Sequence, residues 1–274
     1  MTRLITNPMI RKELLQRLRE RRSWLLPTLY LLVVAGAALF AFYEVAVDKT
    51  ISNPGSEVQG ADIGFALFIV VVFSQLVVLL IMSPVFSAGS ITIEKEQRTL
   101  SGLLTSLLTA PQIWWGKFVT ALLYLLLLLF SALPLLVLSF TFGGVDLPDF
   151  LKATSATILV LATLCAIGLW CSSLFRRSVH STATAYGFVL VLCVVTSIVY
   201  AILSSRPELL SLTDPPAFIQ TPLLFNPFYP LLALTVDERQ TFAYPLSSCL
   251  LFLGILGLAA GLTMRRIQRS GEQV

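Results

Sequence analysis

Few residues of this chain are of a type that does chemistry, and their spacing builds no site. The single histidine, His180, lies beside Arg176 and Arg177 on a short polar turn, where a lone imidazole reads as a loop residue. Cys165, Cys171, Cys193 and Cys249 all fall inside apolar blocks at spacings that match no metal or redox motif, so they read as small packing residues. No His-Glu-x-x-His, no Gly-x-Ser-x-Gly and no clustered carboxylates within the apolar blocks are present. Gly116-Lys117 has the form of the end of a phosphate-binding loop. Pro111 stands where that loop needs its first glycine, however, and Phe118 replaces the hydroxyl that would hold magnesium. No metal site, no cofactor and no catalytic residue are expected.

One stretch does stand out, Ile93-Glu94-Lys95-Glu96-Gln97-Arg98-Thr99-Leu100-Ser101-Gly102-Leu103-Leu104, between two long apolar blocks. Its charges cannot sit in lipid, and a plain connecting loop would not need its apolar residues. The expectation is an amphipathic helix on which something cytoplasmic pushes.

The elements around it must be membrane spans. Hydrophobic residues make up 56% of the 274 residues and charged residues 12%, whereas a soluble domain carries about 25% charged residues. The mean hydropathy is +0.85. Six blocks are long enough to cross a bilayer: residues 25–47, 63–86, 118–142, 153–174, 182–204 and 242–264. A span needs about 20 apolar residues, because a helix rising ~1.5 Å per residue must cross ~30 Å of hydrocarbon. Backbone amides find no water there, which leaves the helix as the natural solution. Six such blocks leave too little polar sequence to cover them in a soluble protein. The fold class expected is all-α and integral to the membrane, one domain with residues 1–24 before it and 265–274 after it.

Charge orients the spans. All of the 19 basic residues except Lys49, Lys152, Arg206 and Arg239 fall before the first span, between spans two and three, between four and five, or after six. The positive-inside rule therefore puts both termini in the cytoplasm, in an inner or plasma membrane. Acidic residues such as Glu57, Asp62, Asp146, Asp149, Asp237 and Glu238 lean to the other side. The net charge of +4 is thus an orientation signal, and nucleic acid is not an expected partner.

The first 24 residues do not resemble a cleavable signal, because the charged region runs to Arg22 and the apolar block after it is too long. Asn7-Pro8 reads as a helix start. Ile10, Leu14 and Leu18 then recur every four residues among Arg11, Lys12, Arg17 and Arg19, the pattern of a helix lying in the interface over anionic headgroups. On the opposite side, the proline-rich stretch 207–240 contains an uncharged segment, 218–236. Its prolines, Gln220 and Asn226 argue against a seventh span. Short re-entrant or interfacial helices are expected instead. No ionisable residue lies deep in the spans, which disfavours an ion-coupled carrier and places the driving energy on another chain.

At this point the sequence resembles the type-2 permeases of ATP-binding-cassette (ABC) transporters, mostly exporters. Asn7-Pro8-x-x-Arg11-Lys12-Glu13-Leu14 is similar to the opening elbow helix of that family. Ile91-x-x-Glu94-Lys95-Glu96-x-x-Thr99-Leu100-x-x-Leu103-Leu104, followed by Ala110-Pro111 and Gly116-Lys117, resembles its signature, with Arg98 where the signature usually has glycine. That replacement is expected to make the helix easier to form. The resemblance covers essentially the whole chain.

It implies a dimer of six-span units, formed with a second copy or a related permease, each unit seated on a separate ATPase subunit. Spans one, two and five would lie near the dimer axis. It also implies that the helix between spans two and three couples ATP hydrolysis to transport, with Glu94, Glu96, Arg98, Thr99, Leu100, Leu103 and Leu104 docking the ATPase. Arg11, Lys12, Glu13, Leu14 and Arg17 would form the interfacial elbow. Leu100, Leu103, Leu104, Leu107 and Leu108 recur at helical spacing and suit a buried face. The alternative is a non-transporting assembly subunit of a larger membrane complex. A neighbouring reading frame with a phosphate-binding loop would favour the permease.

Overall fold

The computed structural model describes residues 24–45, 60–98, 109–205, 221–232 and 243–271, and among these there is helix and turn but no strand. The first span is α1 (Leu25–Tyr43) and the second is α2 (Gly60–Ser87). A one-turn helix, α3 (Thr92–Glu96), follows. The third span is α4 (Ala110–Ser131) continued by α5 (Leu133–Phe142), and the fourth is α6 (Leu147–Leu174). The fifth is α7 (Ser178–Leu190), a π-helical turn (Val191–Val195) and α8 (Thr196–Ser204). Two four-residue helices, α9 (Thr221–Leu224) and α10 (Tyr229–Leu232), precede the sixth span, α11 (Ala243–Gly271). Six of these helices are long and apolar enough to cross a membrane. In the described part of the uncharged segment before the last span, residues 221–232, the helices are too short to do so.

Helix ends depart from the apolar blocks where prolines and caps decide them. The third span starts at Ala110, eight residues ahead of its apolar block, with Pro111 in the first turn. The Thr109 N–H donates to Gln112 Oε1 at 2.9 Å, satisfying one of the amides a helix start leaves open. This earlier start puts Lys117 inside a helix. Pro134 then divides the span at Ala132, as a proline that cannot donate does. The fourth span begins at Leu147 with Pro148 in its first turn, so Asp149 and Lys152 are helical and pair across it at 3.0 Å. The sixth span runs past residue 264, and Arg265, Arg266 and Arg269 ride on the same helix instead of a separate tail.

The fourth span is the centre of the bundle. It packs against spans two, three, five and six, and Leu161, Cys165, Ala166 and Leu169 on it are wholly buried. Thr163 Oγ1 donates to Leu159 O at 2.9 Å and to Phe252 O of the sixth span at 3.2 Å. Spans two and four are in tight contact at Gly168, where any Cβ would run into the Ser87 side chain. Span one contributes Tyr30 and Val34 to the core and turns Leu29, Leu32, Leu39 and Phe40 outward. Span five buries only Ser181 and Ala185 in α7 and nothing beyond. Its outward side chains include Leu190, Val194, Ile198 and Ile202, a face suited to lipid or to another chain.

Candidate functional site

The segment between spans two and three, residues 88–98, is held against the basic end of the bundle by three neighbouring spans. α3 is short, so its first amides need outside acceptors. The buried Ser172 Oγ, near the end of span four, accepts from Ile91 N at 2.9 Å and from Thr92 N at 3.0 Å. From span five, Ser181 Oγ donates to Ala88 O at 2.7 Å.

Each charged residue of α3 serves a different span. Lys117, in span three, donates from Nζ to Glu94 Oε1 and to Ser90 O, both at 2.7 Å. The lysine side chain is 2% exposed and that of Glu94 is 19% exposed. A lysine this deeply buried requires a charged partner, and removing one member of such a pair costs about 3–5 kcal/mol.

Lys95 Nζ donates to three carbonyls that end span four: Ser172 O at 3.1 Å, Ser173 O at 2.7 Å and Phe175 O at 3.0 Å. These are the acceptors a helix terminus leaves open, and they carry the negative end of its dipole. Glu96 does the converse at the start of span five, accepting from Ser178 N at 2.6 Å and from Ser178 Oγ at 3.0 Å. A carboxylate suits the positive end of that helix. Arg176 and Arg266 add their fields around Lys95.

Beyond Glu96 the structure departs from the sequence expectation of one helix over 93–104. Arg98 has φ +57°, the left-handed region in which helices commonly end and glycine is usual. The chain therefore turns at the position where the signature has glycine, and Arg98 does not prolong the helix. Its left-handed backbone costs roughly 1–2 kcal/mol for a residue with a Cβ. Ile93, Gln97 and Arg98 are exposed. Thr99, Leu100, Leu103 and Leu104 lie outside the described residues, as do Arg11, Lys12, Glu13, Leu14 and Arg17 of the expected elbow.

A second polar knot lies toward the other end. Asn226, 3% exposed, sits between α9 and α10. Its Nδ2 donates to Ser197 Oγ at 2.9 Å, Thr196 Oγ1 at 3.1 Å and Cys193 O at 3.3 Å, and its Oδ1 accepts from Phe228 N at 2.9 Å. Phe228 stacks on Phe73 of span two with ring centroids 5.9 Å apart. Phe73 lies thirteen residues below Gly60, about 20 Å along the helix, so this segment dips well into the bundle.

Sequence reasoning missed Ser172, Ser178 and Ser181, since isolated serines in apolar runs carry no signal. It met Asn226 only as an argument against a span. His180 lies in the first turn of span five and is exposed. Cys165 and Cys171 are buried, and all four cysteines are free.

A six-span helical bundle with a charged segment bolted to one end, between spans two and three, defines a multi-pass membrane protein. The family model for ABC-2 family transporter proteins matches residues 8–264. The chain belongs to that family and is a membrane permease of the ABC transporter type. That family supplies the membrane subunit and not the ATPase. No curated protein matches the chain.

Proposed function

We propose that this permease forms half of a dimeric, exporting pathway driven by a separate ATPase subunit, which docks on the segment that follows span two. Its basic end lies in the cytoplasm, a placement that the charge bias of the loops supports, and the membrane is the inner or plasma membrane. The observation that carries this reading is the fastening of residues 88–98 to spans three, four and five at that basic end. A loop serving only as a connection would not need a charged contact to each.

Within the docking segment the labour is divided. Arg98, Thr99, Leu100, Leu103 and Leu104 meet the ATPase subunit together with the outward Ile93 and Gln97, while Glu94 and Glu96 border that surface with their carboxylates engaged inside the chain. Arg11, Lys12, Glu13, Leu14 and Arg17 form an interfacial elbow. A second copy or a related permease covers the outward apolar face of span five, since closed two-fold pairing is the commonest assembly.

Co-expression with a candidate ABC ATPase subunit tests the reading. ATP turnover and vesicle transport should appear only with both chains, and Arg98→Glu should reduce retention of the ATPase. A complex that holds the ATPase yet moves no lipid, glycan, peptide or drug would favour the assembly-subunit alternative.

A further inference from the structure

We infer that Lys117, acting through Glu94, is a positioning residue that joins the docking segment to span three, so that residues 88–97 and the adjoining ends of spans three, four and five move as one block. The inference rests on the proposed docking of an ATPase to this segment, and it assigns Glu94 and Lys117 a role other than docking.

The geometry separates holding from docking. Lys117 is reached by no solvent path of consequence, being 2% exposed, and its ammonium is divided between the Glu94 carboxylate and Ser90 O. It joins Ser90, in the turn that leads into α3, to Glu94 within that helix. A group so enclosed meets no outside partner, yet it fixes where α3 can sit. Lys95 on the ends of span four and Glu96 on the start of span five complete the fastening, so three contacts to three helices leave α3 no axis about which to swing.

A one-turn helix has little stability of its own. A push delivered to Ile93, Gln97 or Arg98 would be absorbed by bending unless those contacts hold. Coupling of this kind requires an element with defined arrangements, not mere adjacency.

The test has two arms. In the first, the four cysteines are replaced and spin labels are placed at Gln97 and at the exposed Leu123 of span three in the full chain in lipid nanodiscs. The unaltered pair should give one narrow distance peak. Lys117→Met and Glu94→Gln should each lose it, with no further loss in the double variant. The exchange Glu94→Lys with Lys117→Glu should restore it in part, and Glu94→Gln guards against misfolding because it keeps an acceptor. A narrow peak surviving Lys117→Met overturns the inference.

In the second arm, the chain is co-purified with a candidate ABC ATPase subunit co-expressed with it. Lys117→Met should leave the amount of ATPase retained unchanged and lower membrane-coupled turnover about tenfold. Lost retention would make Lys117 part of docking and overturn the inference. If the unaltered chain retains no ATPase, the permease–ATPase reading fails, and the first arm still decides whether the block exists.

Discussion

Asn226 Nδ2 lies 2.9 Å from Ser197 Oγ, tying the dipping segment to span five just past its π-helical turn. A π turn widens the helix and weakens its own hydrogen bonding. Here side chains make up part of the deficit: Thr196 Oγ1 donates to Leu192 O at 2.6 Å and Ser197 Oγ to Cys193 O at 2.7 Å, with Asn226 adding a second donor to Cys193 O. Asn226→Leu would keep the bulk but leave the Phe228 amide without its acceptor, a loss of about 1–3 kcal/mol. The expected outcome is a lower thermal midpoint and faster amide exchange at Phe228. An unchanged exchange rate would show that the dipping segment is held by its apolar contacts alone.

Gly168→Ala should destabilise the bundle by about 1–3 kcal/mol, because the added methyl must displace Ser87 and through it span two. Ser87→Gly alone should cost little, and combined with Gly168→Ala it should recover part of the loss, a non-additivity expected of residues in contact. Thermal unfolding of the three variants measures this. Strict additivity would mean that the two helices do not meet there.

Arg98 supplies a prediction of opposite sign. Arg98→Gly removes a left-handed cost of roughly 1–2 kcal/mol while loosening the unfolded chain by about 0.4–1 kcal/mol, so a small gain in stability should remain. Arg98→Val should lower stability, since a β-branched side chain tolerates positive φ poorly. If both variants melt together, the turn is made some other way.

Topology is open to labelling. In a cysteine-free background, single cysteines at 146 and 238 should react with an impermeant reagent applied from outside, and those at 97 and 272 should not. Reaction at 272 from outside would reverse the orientation or change the number of crossings.

The bundle was largely legible because bilayer thickness sets a length that any apolar block must meet, and six blocks met it. Its ends were less so. Lys117 at the edge of an apolar run reads as a boundary, whereas the capped start at Ala110 places it inside the helix, where it pairs with Glu94, 23 residues earlier. Leu147 and Pro148 start span four before its continuous apolar stretch begins, because a proline in the first turn suits a helix there. The clamp itself was half legible. The charges of Glu94, Lys95 and Glu96 were visible, but their direction was not, since a carboxylate serves an inner helix start and an outer partner equally well. Nothing in the residue types announces a left-handed Arg98, and the likeness to a signature with glycine was the only pointer to a turn.

The contact at Gly168 also limits how the bundle can change shape. Turning span four about its own axis by one residue, about 100°, would carry Ile167 or Leu169 to the place where even a methyl does not fit. Packed interiors shift between discrete arrangements and do not deform smoothly, so rolling is barred, whereas tilting about that point keeps the small residue in place. If side chains of span four line the proposed passage, the same ones should face it throughout, with the slope of the wall changing in place of its composition.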